Sequence, residues 1–190
     1  MAARPTDTKE SILRLGMEFI QTYGYHSFSY ADIAKELKIK NAAVHYHFPG
    51  KEDLLAEIVE QYIQRYHELA RSLEKPGISS RQKIQAFINR YTALCEHGKI
   101  CLIGSVGSDY NTLPEKAKVK LTELVKLVLG LVEKVLREGK KKGELTFSES
   151  ARIKSILIMT NLAAGVQLAR ITGQQDYTAI CNSLMKQLTG

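Results

Sequence analysis

Phe28–Leu55, FSYADIAKELKIKNAAVHYHFPGKEDLL, carries two short apolar periodicities separated by a very short connection. Ile33, Ala34 and Leu37 fall on one face of a first helix and Val44 and Phe48 on one face of a second, with Lys38-Ile39-Lys40 between them. Helices joined so tightly must cross steeply, which requires a small residue where the backbones approach and an apolar plug in the turn. Ala34 supplies the first and Ile39 the second. Ser29 stands three residues ahead of Asp32, a capping-box spacing that starts the first helix by satisfying its free amide donors. The outer face of the second helix then presents Lys40, Asn41, Ala42, Ala43, His45 and Tyr46. Such a set of donors, acceptors and small side chains can enter a major groove.

An ordinary pair of core helices would share each of these features singly. The run that follows is harder to explain that way: Tyr46-His47-Phe48, Pro49-Gly50, then Lys51-Glu52-Asp53-Leu54-Leu55 opening another helix. Here the chain resembles the TetR family of bacterial transcriptional regulators, whose N-terminal domain carries a Tyr-x-His-Phe type turn followed by Ser-Lys-Glu-x-Leu. Upstream, Ile12, Leu15, Gly16, Phe19, Ile20 and Tyr23 form a helical stripe, and Tyr23-Gly24-Tyr25 matches the family's aromatic-Gly-aromatic step before the Ser or Thr that enters the second helix. The resemblance implies DNA contacts from Ser29, Tyr30, Lys40, Asn41, Ala42, Ala43, His45, Tyr46 and Lys51. It also implies an all-α chain, with a three-helix helix-turn-helix domain over 1–50 and a larger helical effector-binding and dimerisation domain over 51–190.

The chain departs from the family at two positions. Gly is usual where Lys38 stands, and Ser or Thr where Lys40 stands. A non-glycine residue in a left-handed turn costs about 1 kcal/mol, and a lost Ser or Thr cap about 1 kcal/mol. Asn41 is therefore expected to take over as the cap. Both lysines would add phosphate contacts, which strengthen binding without specifying sequence.

At 190 residues the chain can bury one substantial core beside a small N-terminal unit. No charged-then-apolar leader is evident, and three cysteines, an odd number, predict reduced thiols in a cytoplasmic protein rather than a disulfide framework. The spacing of Cys95, Cys101 and Cys181 matches no zinc site, so no metal and no cofactor is expected. The net charge is +7. Its distribution does not follow the DNA-binding motif. Residues 1–50 hold six Lys or Arg against five acids, a net of +1. Between Glu115 and Gly143 nine positive residues face four acids, a net of +5, ending in Arg137 and Lys140-Lys141-Lys142. A basic run at a helix end is ordinarily a solvated face complementing the helix dipole.

Beyond Lys51 helical periodicity continues almost throughout. Leu55, Ile58, Tyr62, Tyr66, Leu69 and Leu73 mark a long helix ended by Pro76-Gly77, and Ser79 with Gln82 caps the next, which stops at Gly98. A short helix is expected from Cys101 to Tyr110. Glu115 to about Lys142 reads as a helix apolar nearly all round between Leu121 and Leu136, hence one surrounded by others. Thr146-x-x-Glu149 is expected to cap a helix over 148–172 that is uncharged from Ser155 to Ala169, short of the roughly 20 residues a membrane span needs. Ala163-Ala164-Gly165 would let another helix approach it closely, and a last helix is expected over 176–188. The family resemblance implies that these two helices pair with those of a second copy in a homodimer. The apolar excess of Ser155 to Ala169 points the same way.

The resemblance further implies a small-molecule effector in the C-terminal domain. Tyr62, Tyr66, Phe87, Tyr91, Tyr110 and Asn161 are candidates to line its pocket, although such residues at helical spacing are also ordinary core. Lys99 to Asp109, with Cys101-Leu102 at its start, is similar to a segment of the NemR-like subgroup of the family, in which a cysteine here senses electrophiles. Nearby Lys99 and His97 would favour a thiolate. A buried free cysteine can equally be a small hydrophobe. An enzyme would need a nucleophile, a base and an orienting group, and no such set is evident. A purely structural helical module leaves the outer face of Lys40 to Tyr46 unexplained. The expected partners are double-stranded DNA, a small-molecule effector and a second copy of the chain, with no membrane. The expected role is a repressor released from an inverted repeat, the alternatives being an activator or a helical module without ligand control.

Overall fold

The computed structural model describes residues 5–189. Its helices are α1 (Pro5–Tyr23), α2 (Tyr30–Leu37), α3 (Asn41–His47), α4 (Lys51–Leu73), α5 (Ser80–Glu96), α6 (Leu102–Gly107), α7 (Glu115–Lys141), α8 (Ala151–Thr172) and α9 (Gln174–Thr189), with no strand among the described residues. Short 3-10 turns lie at Tyr25–Ser27 and Tyr110–Thr112. The fold is all-α, as the periodicity predicts.

The chain divides into two compact units. The first runs to Ile63 and takes in Leu102–Leu124; the second comprises Gln64–Cys101 and the chain from Val125 onward. Both α4 and α7 contribute residues to each unit.

In the first unit, Ile12, Ile20, Ile33, Val44, Leu55 and Ile58 are fully buried and bring α1 to α4 into one core. Gly16 lets α1 and α4 approach, since a Cβ there would stand 3.1 Å from Leu54. Tyr23, expected on the buried stripe, is 65% exposed because α1 ends there and Gly24 turns the chain at φ 100°. Ser105 of α6, itself buried, donates to the Ile20 carbonyl at 2.5 Å and seats α6 against α1.

Both parts of the expected capping box at Ser29 form. Ser29 Oγ accepts from the Asp32 amide at 3.4 Å, and Asp32 Oδ2 accepts from the Ser29 amide at 2.7 Å. At the other end of α2, Lys38 adopts the left-handed conformation (φ 54°, ψ 41°) normally filled by glycine, and its successor Ile39 donates to Ala34 O at 3.0 Å. Lys38→Gly is therefore expected to raise stability by about 0.5–1 kcal/mol, relief of steric strain outweighing glycine's unfolded-state entropy. A denaturant melt with an unchanged or lowered midpoint would refute this.

In the second unit, Ser79 and Gln82 form the predicted capping box of α5. Glu144 adds to it by accepting from the Ser80 amide at 2.5 Å, which holds the Glu144 carboxyl below the usual carboxylate range. Helix α8 packs on α5 and α9, burying Ile158, Leu162 and Val166. Gly165 makes the close approach that its small neighbours suggested: a Cβ would stand 3.2 Å from both Tyr177 and Ile180 of α9.

Three sequence expectations need correction here. The N-cap of α8 is Ser150, whose side chain accepts from Ile153 N at 3.2 Å, rather than the Thr146 to Glu149 box, so the helix starts at Ala151 and not at 148. The last helix begins at Gln174, ahead of the expected 176, because Gly173 at φ 99° breaks the chain in a single residue. Finally, α7 is not surrounded. It buries one stripe (Leu121, Leu124, Val128, Val132, Val135, Leu136) and leaves Lys126, Lys134 and Arg137 in water. At its end, Lys140 donates to Phe147 O at 2.8 Å and lies over the Phe147 ring.

Candidate nucleic-acid interface and effector residues

The polar outer face of α3 stands on a well-braced base. Val44 and Phe48 point into the first unit, 0% and 3% exposed. Periodicity then turns Asn41, Ala42, His45 and Tyr46 outward; Lys40, just before the helix, is exposed as well, and Ala43 is half-buried. Tyr46 is 82% exposed. His45 packs edge-on against Tyr30, ring centres 4.8 Å apart, which orients it without covering it. The position ahead of α3 differs from expectation. Lys40, in extended conformation, occupies the N-cap with no side-chain hydrogen bond, so Asn41 is already the first helical residue and does not cap. A lysine side chain has donors only and cannot satisfy the free amides.

Two expected contact residues are turned to another task. Tyr30 is 8% exposed, and its hydroxyl donates to Gly50 O at 2.6 Å, tying α2 to the turn between α3 and α4. Burial pushes its phenol well above the ordinary range. Lys51, expected at the DNA surface, points inward: its ammonium donates to Phe28 O and lies 3.9 Å from the centre of the Phe28 ring and 4.9 Å from that of Tyr25. Burial lowers its pKa, an effect the Asp32 carboxylate opposes. The reason is positional. Lys51 is the first residue of α4, and the aromatic step before Ser29 lies within reach of its side chain. Sequence reasoning also missed His26, whose Nε2 lies 3.9 Å from Asp109 and 3.4 Å from Thr112 Oγ1. A separation of more than 80 residues hides such a pair from any local pattern.

The candidate effector residues do not form one group. Tyr62 and Tyr110 belong to the first unit, where Tyr62 accepts from Gln21 Nε2 at 2.9 Å and Tyr110 is 43% exposed. Asn161 lies on the exposed face of α8 and donates to Leu157 O at 2.6 Å, so it lines no interior pocket. Its register places it to one side of the stripe that packs on α5 and α9. Tyr66, Phe87, Tyr91 and Cys101 are all buried in the second unit, at 6%, 0%, 3% and 6% exposure. Cys101 adjoins both Tyr66 and Tyr91 closely enough to act on them electrostatically, and Arg90 lies over the Tyr66 ring at 5.0 Å. Burial, the largest influence, raises both phenols, so they remain neutral donors. No cluster of His, Cys, Asp or Glu suited to a metal occurs among the described residues.

A capped and pinned helix pair with an exposed polar second helix, joined to a separate helical unit, defines a helix-turn-helix DNA-binding regulator. Residues 12–58 match the family model described as bacterial regulatory proteins, tetR family. Over this segment the chain resembles that family, and it is a DNA-binding transcriptional regulator. A transcriptional regulator of that family from Agrobacterium tumefaciens has the same fold with TM-score 0.91 at 27% identity, covering 98% of this chain and 100% of that one. The fatty acid metabolism regulator protein of Bacillus subtilis is 21% identical over 179 residues, 93% of this chain and 91% of its own length. The structure of a regulator FadR from Bacillus subtilis in complex with stearoyl-CoA superposes with TM-score 0.70 at 21% identity, covering 93% of this chain and 95% of that one. Proteins of this family are DNA-binding regulators that bind small molecules and typically dimerise; they are not enzymes.

Proposed function

We propose that the chain is a cytoplasmic homodimeric repressor that reads an inverted repeat through Lys40, Asn41, Ala42, Ala43, His45 and Tyr46, and is released by a small apolar effector. The exposed polar face of α3, held against a buried Val44 and Phe48, carries this reading. Ser29, Tyr30 and Lys51 support it from behind: a cap, a hydroxyl bonded to Gly50 O and an inward ammonium fix the angle at which α3 is presented. Two such helices about 34–36 Å apart meet successive major grooves on one side of a duplex.

The dimer is assigned to α8 and α9, the expected 148–172 and 176–188 in their observed bounds. Ile153, Leu157, Leu168 and Ile171 are 50%, 40%, 46% and 85% exposed on α8, an apolar stripe at helical spacing. By length and composition α8 could cross a membrane, but the core helix of a soluble protein passes the same test. Its opposite side buries Ile158, Leu162 and Val166 against α5 and α9, so we assign the exposed stripe to a second copy.

For the effector we assign the buried group of Tyr66, Phe87 and Tyr91, with Cys101 as its reactive member in a NemR-like manner. Cys101 immediately precedes α6, and α6 holds the carbonyl of Ile20 through Ser105. A change at Cys101 therefore has a covalent route to the helix that supports α1. A thiol alkylator is expected to release DNA from the wild type and not from Cys101→Ser; equal release from both removes Cys101 from the mechanism. The reading as a whole is tested by footprinting the region upstream of the gene: protection of two half-sites, weakened steeply by salt, is expected. Equal affinity for a scrambled duplex would sink it.

A further inference from the structure

Gly50, in the turn between α3 and α4, is held through both of its backbone groups. Tyr30 of α2 donates its hydroxyl to Gly50 O at 2.6 Å, and the Gly50 amide donates to Asp53 Oδ2 at 3.1 Å. Asp53 lies in the first turn of α4, where a carboxylate that accepts from the backbone ahead of the helix makes half of a capping box. In α2 and α5 the corresponding side chain also accepts from a serine hydroxyl, Ser29 to Asp32 at 2.7 Å and Ser79 to Gln82 at 3.1 Å. Gly50 has no side chain to do this. Instead the other oxygen, Asp53 Oδ1, accepts from Lys116 Nζ in the first turn of α7 at 2.7 Å. Tyr30, Gly50, Asp53 and Lys116 all belong to the first unit.

We infer that Lys116 is a positioning residue for DNA reading: through Asp53 it fixes the turn after α3, and with it the angle at which Asn41, His45 and Tyr46 are presented. Helix stability does not account for a lysine there. The acid at the start of α4 suits that helix's dipole, whereas a cation in the first turn of α7 opposes the dipole of its own helix. Nor does folding depend much on the pair, since its side chains are 63% and 31% exposed and exposed ion pairs are weak. The consequence is local. The bond from Lys116 is the largest influence holding the Asp53 carboxyl below the usual carboxylate range, and the Gly50 amide adds to it against the effect of burial. The segment Leu102–Leu124 meets the head of the molecule at two other points, Ser105 on Ile20 O and Thr112 Oγ1 at 3.4 Å from His26 Nε2. Those two reach α1 and the turn after it; of the three, Lys116 is the one that reaches the turn after α3. The inference rests on α3 being the reading helix.

The test measures fluorescence anisotropy on the duplex from upstream of the gene and on a scrambled duplex, over a range of salt, using the full-length protein. Exchange of the Gly50 amide is followed by NMR without DNA. Lys116→Met is expected to weaken specific binding about three- to tenfold and to speed Gly50 exchange, with scrambled binding, salt dependence and melting point unchanged. Asp53→Asn, which leaves one carbonyl oxygen for two donors, is expected to lose as much, and the double variant no more than either. Lys116→Arg should keep full binding. Lys120→Met is the control: it breaks a pair between the same two helices, Lys120 to Glu60 at 2.6 Å, and is expected to change neither readout. Equal loss on both duplexes with a shallower salt dependence would make Lys116 a phosphate contact and overturn the inference. Unchanged Gly50 exchange in Lys116→Met, or an equal loss in Lys120→Met, overturns it too. Faster exchange with unchanged specific binding overturns it where Tyr46→Ala weakens binding; where Tyr46→Ala is equally silent, the α3 reading fails and the anchor stands.

Discussion

Leu157→Glu combined with Leu168→Glu is expected to turn the dimer into a monomer and to lower operator affinity by about 10²–10⁴-fold. Both side chains lie on the exposed stripe of α8, at 40% and 46% exposure, so neither substitution disturbs the packing of the single chain. Melting of the monomer should therefore remain cooperative. The loss in DNA binding has a simple origin. With two half-sites engaged, the second contact is intramolecular and benefits from a high effective concentration; a monomer must bind each half-site independently. Sedimentation gives the oligomeric state and a gel shift the affinity. A variant that remains dimeric, or a monomer that keeps full affinity, would contradict the assignment of this face.

Tyr46→Ala is the second large effect. Tyr46 is 82% exposed and its ring lies against that of His47, at 5.2 Å between centres, so its removal leaves the core intact. If the α3 face reads DNA, the loss is expected to be about 1–3 kcal/mol, or roughly 10–100-fold in affinity. Stability should change by less than about 0.5 kcal/mol, as for other surface substitutions. Lys51→Ala provides the contrast. Its ammonium is held by Phe28 O and two aromatic rings rather than facing outward, so a loss of DNA affinity there should come with a lowered melting point. A loss in Tyr46→Ala equal for specific and scrambled duplexes would make Tyr46 a backbone contact and not a base reader.

Local chemistry was legible in the residues. The capping boxes at Ser29 and Ser79 formed as their spacings predict, because each rests on groups three residues apart in one turn. Helices α2 and α3 also pack on each other with Ala34 buried, despite the cost of a left-handed Lys38 between them. Expectations that depended on where a long side chain goes fared differently. Lys51 turned inward, Asn161 outward and Asn41 was displaced from the cap by a lysine that cannot cap. Each outcome depends on a neighbour distant in sequence or on a shift of one residue at a helix start.

What the sequence determined by itself is the order and boundaries of most helices and the outward set on α3, because 3.6-residue periodicity and end-capping act within a few residues. Only the tertiary structure decided which of the candidate aromatics lie buried in one unit. It separated Tyr62 and Tyr110 from Tyr66, Phe87 and Tyr91, which are buried in the second unit. Periodicity says that a residue faces inward; which groups it meets there is settled by packing between helices whose contacts span dozens of residues.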